Sequence, residues 1–169
     1  MDKDKISRIS TEALMEELSR RLGEQGETID AAELGTEREG QRLGRVGFES
    51  WLARQQDGET DTAKPCPRCG KRVAVRAQKR QRTLHAANGT FTYRRNYHYC
   101  ADCDLGFHPL DEAIGAPAEG EATEALSRRA LDFAINAPYS EASERFEMHY
   151  GRSISTNMLR CMVRRAAAA

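Results

Sequence analysis

No run in this chain of 169 residues approaches the roughly 18 apolar residues of a membrane-spanning helix, which argues against an integral membrane protein. Met1-Asp-Lys-Asp-Lys-Ile-Ser opens without the apolar segment of a secretion signal. Together these two absences predict a cytoplasmic protein, in which thiols stay reduced and available to metal. Net charge is missing as well, 26 Lys and Arg standing against 26 Asp and Glu. With 39% hydrophobic and 31% charged residues the composition suits a soluble protein with modest cores, as one ordinary domain or as two to three small modules.

The last absence is local. Between Lys64 and Tyr99 there is no acid at all, but there are ten Lys or Arg. Residues 1–63 carry 9 basic and 15 acidic side chains, and residues 100–169 carry 7 and 11. The neutral total therefore conceals a concentrated cation. Cation without interspersed acid is what counterion release from a polyanion rewards. The segment predicts a phosphate-tracking surface with Arg80, Arg82, Arg94 and Arg95 as contacts. A solvated basic hairpin is the plainer alternative.

Of five cysteines, four form two C-x2-C knuckles, Cys66-Pro-Arg-Cys69 and Cys100-Ala-Asp-Cys103. Each knuckle turns two sulfurs toward one point, and four sulfurs complete a closed tetrahedral Zn2+ site. With no position left for water, one structural zinc is predicted on Cys66, Cys69, Cys100 and Cys103. The 30 residues between Cys69 and Cys100 exceed the usual finger interval of about 15–20. A zinc ribbon with a long β-hairpin between its knuckles accommodates them.

That hairpin is marked by Asn88-Gly89, a type I′ turn signal because both central residues need positive φ. Downstream, Phe91, Tyr93, Tyr97 and Tyr99 fall on odd positions and polar residues on even ones, so one aromatic face is predicted to be buried as a small core. The alternative use of such a face is base stacking. Upstream, Ile6, Ile9, Ala13, Leu14, Leu18 and Leu22 predict an amphipathic helix over 6–22, ended by Gly23 and Gly26. A second helix is expected over 30–56, anchored by Phe48, Trp51 and Leu52. Its glycines at 40, 44 and 47 either admit a neighbouring helix or break this one. Residues 55–62 read as a polar linker.

Beyond the ribbon, helices are expected over 121–136, from about Ser140, and from Ser155, a good N-cap residue. A short helix, a turn containing Gly151 and a second helix with a basic outer face are the layout of a helix-turn-helix. After Glu147 there is no acid, and Arg152, Thr156, Asn157, Arg160, Arg164 and Arg165 are its candidate DNA contacts. The whole predicts an α+β chain: mainly helical, with a helical region over 1–63, a four-Cys zinc ribbon over 64–110 and a helix-turn-helix region over 121–169.

The residues that carry a resemblance are Cys66-Pro-Arg-Cys69-Gly70, Arg80-Gln-Arg82-Thr83-Leu84, Asn88-Gly89, Thr92-Tyr93-Arg94-Arg95, Tyr97-His-Tyr99-Cys100 and Gly106-Phe107-His-Pro109-Leu110-Asp111-Glu112. This run resembles the N-terminal region of the ISKra-type insertion-sequence transposases, most closely over 66–115 and more loosely to about 165. The resemblance implies a bacterial, nucleoid-associated module that binds duplex DNA at transposon ends, and admits a homodimer. Family members continue into a ribonuclease H-like domain whose acids bind divalent metal. The chain stops at Ala169, so the expectation is a DNA-binding protein that is not an enzyme. Asp102, Asp104, Asp111 and Glu112 are too clustered to be the missing triad and are expected to be linker acids. Two alternatives remain: the recognition half of a transposase whose catalytic part is a frameshifted or separate product, and a zinc-ribbon module for RNA or protein. His98 shares strand parity with Cys100 but is superfluous to four sulfurs. His85, His108 and His149 are expected to be ordinary strand, loop and helix residues, and Cys161 a buried thiol.

Overall fold

The computed structural model describes residues 11–25, 28–118 and 120–168 and is α+β. Ile6 and Ile9 of the first expected helix lie outside the described residues. The chain divides into two compact units after Gly44. In the first unit, helix α1 spans Thr11–Gln25 and runs past Gly23, where the sequence suggested a stop. Helix α2, Ile29–Asp57, begins in this unit, with the Thr28 hydroxyl accepting from the Ala31 amide at 3.3 Å as a cap. Its glycines do not break it. A Cβ added at Gly40, Gly44 or Gly47 would meet no heavy atom within 4 Å outside the helix's own backbone among the described residues.

The second unit holds the end of α2, five strands and four helices. Strands β1 (Lys64–Pro65) and β2 (Arg72–Val73) form a small antiparallel pair. Strands β3 (Val75–Ala86), β4 (Gly89–Cys100) and β5 (Leu105–Phe107) form an antiparallel sheet in that order. Ala86 pairs with Gly89, so the hairpin turns on Ala87-Asn88, one residue earlier than Asn88-Gly89 suggested. Neither turn residue has positive φ, which rules out type I′. Gly89 is still needed as glycine: its φ is 155°, and a Cβ there would sit 3.1 Å from the Phe91 ring.

Strand β4 does not keep one buried face. Phe91 and Tyr93 are buried near the turn, whereas Asn96, His98 and Cys100 are buried near the second knuckle. The buried parity switches from odd to even along one strand. Phe91 and Tyr93 pack with Leu52, Leu84 and Leu110, and Phe48 meets Phe91 edge-on at 4.8 Å. At the other end Cys66, Cys100 and Phe107 form a separate small cluster. Between them β3 slips register at Val75/Ala77 and Ala77/Arg80, where Lys79 adopts φ 51°. The Lys79 amide donates to Asn96 Oδ1 at 3.0 Å, which holds the bulge. Tyr97 and Tyr99 therefore leave the core that the odd-position pattern predicted for them and belong to none of the buried clusters of the described residues.

Strand β5 covers only the last three residues of β4, which leaves amides further up that edge in need of acceptors. Gln56 Oε1 accepts from the Arg94 amide at 2.7 Å and Glu59 Oε2 from the Asn96 amide at 2.9 Å. Asp61 takes the Asn96 side-chain amide at 2.8 Å. The expected polar linker is thus a strand-edge cover.

After β5 the short helix α3, Pro109–Ala113, brings Asp111 under the hairpin. Helices α4 (Glu124–Asn136), α5 (Tyr139–Tyr150) and α6 (Thr156–Ala167) then pack mutually around Leu126, Ala130, Ala142, Phe146, Leu159 and Met162. Gly151 ends α5 in the left-handed region at φ 62°, and Ser155 caps α6 by accepting from the Met158 amide at 3.1 Å. The bundle is tied to the hairpin: the His85 amide donates to Glu121 O at 2.6 Å and the Thr123 amide to His85 O at 2.9 Å. Cys161 is exposed, not buried as expected, because Met158, Leu159, Met162 and Val163 take the inward stripe and leave 161 on the outer side.

His108 donates from Nδ1 to Asn96 O, 3.0 Å away, and burial lowers its pKa below the ordinary 6.5, with Arg95, Arg80 and Arg82 adding to the effect. The unfolded chain takes up a proton at that site before the folded one does. Stability should consequently fall as pH drops through about 6.5 and level off below the folded pKa. His108→Gln should flatten that part of a denaturation-versus-pH curve, and an unchanged slope would show that another group sets it.

Candidate metal centre and cationic surface

The two knuckles are built alike. The first lies between β1 and β2, the second between β4 and β5. In the first, the Gly70 amide donates to Cys66 O and the Cys66 amide to Lys71 O, both at 2.9 Å. The residue after each second cysteine is left-handed, Gly70 at φ 72° and Asp104 at φ 48°. Aspartate tolerates this region better than most side chains. Asp104 is further held by the Tyr99 hydroxyl at 2.6 Å. Arg68 donates to Cys103 O at 3.0 Å and Lys71 pairs with Asp102 at 2.5 Å, so each knuckle grips the other.

These turns place the four Sγ atoms of Cys66, Cys69, Cys100 and Cys103 within 4.8 Å of one another, a group that could hold a metal ion. The Cys69 and Cys100 sulfurs are 3.8 Å apart. A tetrahedral site with metal–sulfur bonds of about 2.3 Å has an edge of about 3.8 Å, so the donor set fits. Backbone N–H groups, that of Cys69 foremost, pull the Cys66 thiol down to about 7. Cys103 is pushed up to about 12, chiefly because its S–H is engaged with the Cys69 sulfur, and burial raises Cys100. Without a cation, one thiolate forms at the expense of its neighbours. His98 stands outside the four-sulfur group: it is 1% exposed, donates from Nδ1 to Val73 O at 3.0 Å and stacks on Phe107.

The ten cations of 64–99 do not form one surface. Arg82 is nearly enclosed, pairing with Asp111 at 2.6 Å and donating to Pro117 O and Gly120 O. Arg95 pairs with the same carboxylate, and the Tyr93 hydroxyl donates to its other oxygen at 2.5 Å. Burial and Arg82 both lower the Arg95 pKa from its ordinary value. Asp111 is thus the hub of a half-buried triad, and Arg82 and Arg95 are turned inward and are not the phosphate contacts that the sequence suggested. Arg80 and Arg94 are exposed. Sequence reasoning read Asp111 as a linker acid, since nothing in the local sequence sets it apart from Asp102, Asp104 and Glu112.

In the helix-turn-helix region Thr156, Asn157, Arg160 and Arg164 are exposed on α6, with the Arg160 guanidinium 5.9 Å from the Tyr139 ring. Arg165 is exposed overall but lies against Gly120, where a Cβ would collide with its guanidinium. Arg152 is half-buried and donates to Ala86 O and, at 2.9 Å, to Gly89 O, so it closes the hairpin turn and is not free to meet a groove. His85, His108 and His149 are strand, loop and helix residues, as expected. Among the described residues the four cysteines are the one cluster suited to a metal, and no helix is long and apolar enough to cross a membrane. Comparison with protein-family models, curated proteins and solved structures finds no match.

Two outcomes follow from this geometry. Chelation, or Cys66→Ser, should melt the β1–β2 and β4–β5 ends while the α4–α6 bundle keeps its helical circular dichroism, since metal binding supplies the folding energy of so small a core. Equal loss of both signals would contradict it. Asp111→Ala should cost about 3–5 kcal/mol in chemical denaturation, because it leaves two enclosed guanidiniums without a carboxylate. A cost under about 1 kcal/mol would return the triad to the class of surface pairs.

Proposed function

We propose that this chain is a zinc-dependent DNA-binding protein that binds duplex DNA without cutting it. The observation that carries the reading is α6. It follows a short helix and a left-handed Gly151, it is capped by Ser155, and it leaves Thr156, Asn157, Arg160 and Arg164 exposed. No acid follows Glu147 to oppose phosphate there. The N-terminal end of such a helix is the part that reaches base edges, where Arg pairs with guanine and Asn with adenine. The metal is zinc in this reading, because four thiolates in a tetrahedral cluster suit Zn2+ or an iron–sulfur centre and the closed knuckle pair suits a single structural ion. The resemblance to ISKra-type transposases makes transposon ends the proposed site, and a bacterial nucleoid the proposed setting.

Binding in place of cleavage is supported by what the clustered acids do. Asp102 pairs with Lys71, Asp104 accepts from Tyr99, and Asp111 serves Arg82, Arg95 and Tyr93. Each is committed to the ribbon.

Selection of bound duplexes from a random pool tests the proposal. Asn157→Ala or Arg160→Ala should erase preference at one base position, at about 1–3 kcal/mol each, with residual non-specific binding. Arg164→Ala should weaken all duplexes alike and reduce the salt slope by about 0.9, the contribution of one phosphate. Retention of the selected site by both Asn157→Ala and Arg160→Ala would remove α6 from the role.

A further inference from the structure

Tyr97 and Tyr99 emerge from the hairpin on the odd face of β4, beyond the point where Phe91 and Tyr93 are covered. The Arg76 guanidinium lies 4.7 Å above the Tyr99 ring and the Arg80 guanidinium 5.2 Å above that of Tyr97. Both arginines are exposed, and the two tyrosines are half-buried. Gly106, paired with Tyr99 on β5, has no side chain to raise beside them: a Cβ there would lie 2.8 Å from the Tyr97 ring. His108 borders the Tyr97 ring at 5.2 Å. The result is a pair of part-exposed aromatic rings, each with a guanidinium beside it, the Tyr99 hydroxyl being held by Asp104.

Spacing selects the ligand. Residues two apart on a strand repeat at about 6.7 Å. Bases of a duplex repeat at about 3.4 Å along each strand and present no free faces. Adjacent rings at twice that distance match the unstacked bases of an extended single strand. Arginine that covers a tyrosine in the free protein can hand the ring to a base and move to the neighbouring phosphate, which is the pairing of stacking and charge that single-strand sites use. A groove of about 750 Å3 beside Gly106 and His108 belongs to the Asp111 cluster: Arg82 and Arg95 in its wall are paired with Asp111, and Glu112 and Glu121 line it too.

We infer that the outer face of the ribbon, through Tyr97 and Tyr99 with Arg76 and Arg80, binds an unpaired segment of DNA. This rests on the reading of the chain as a DNA-binding protein and adds a second surface to α6, for a differently shaped part of the same polymer. The core was the more economical reading of these rings in the sequence. Their departure from it is what opens this one.

The test uses the zinc-loaded full chain and an oligothymidylate of about 12 nucleotides. Tyr97→Leu and Tyr99→Leu should each weaken binding about tenfold, whereas Tyr97→Phe and Tyr99→Phe, which keep the ring, should stay within about twofold of the parent. Arg160→Ala should leave this binding intact, and the Leu variants should keep their preference for the duplex selected through α6. Failure of the platform and failure of α6 are therefore read on different ligands. Photocrosslinking of an iodouracil-substituted strand to the unaltered protein gives a measure that needs no variant, with adducts expected at Tyr97 or Tyr99. The inference is overturned by Leu variants that bind as the parent does, by crosslinks confined to other residues, by an equal-length duplex that competes as well as the single strand, or by oligouridylate binding more than about tenfold tighter than its DNA counterpart.

Discussion

Strand β4 has to bury opposite faces at its two ends, and most of the second unit is arranged around that requirement. Near the turn its odd side chains complete a core with α2 and α3; near the knuckle its even ones, Cys100 and His98, complete another with Phe107 and Cys66. A regular two-stranded ladder cannot do this without a change of twist, since parity is fixed by the pleat. The slips in β3 and the left-handed Lys79 supply the change, and Asn96 secures it from the partner strand. The same switch decides which aromatic rings are covered and which reach the surface.

Charge is distributed by the same geometry. Arg82 and Arg95 are drawn to Asp111, whereas Arg76, Arg80 and Arg94 stay in water. A basic segment that looks uniform in sequence becomes an internal clamp and an external strip. Two guanidiniums share one enclosed carboxylate, an arrangement whose worth depends on every donor and acceptor being used. Tyr93 and the carbonyls of Pro117 and Gly120 fill that need for the carboxylate and for Arg82.

Elements with a strong local cause were legible in the sequence. The C-x2-C knuckles, the Ser155 cap, Gly151 and the helical stripe of Leu159 and Met162 are each fixed by neighbours within a few residues, and the structure has them where expected. What was not legible depends on distant partners. Nothing local says that Gln56 and Glu59 will cover a strand edge, that Asp111 will collect two arginines, or that Cys161 will face outward on its helix. Alternation along β4 was read correctly up to Tyr93 and failed beyond it, because a bulge in the opposite strand leaves no mark in the strand that it re-aims. The glycine of the Asn88-Gly89 pair was rightly seen as necessary, but the hairpin places it at the start of the strand and not in the turn.

Arg152 sits in the turn between α5 and α6 and holds the carbonyls on both sides of the hairpin turn. The ribbon and the helical bundle are thereby bracketed by a half-buried charged side chain, in addition to the backbone bonds of His85 with Glu121 and Thr123. Two surfaces joined by a flexible linker present a spread of separations, and the local concentration of one near the other is averaged over that spread. Two surfaces joined by such a bracket present a single separation. A polymer that touches both gains from the pairing only when its own contour matches that distance, so the bracket acts as a ruler.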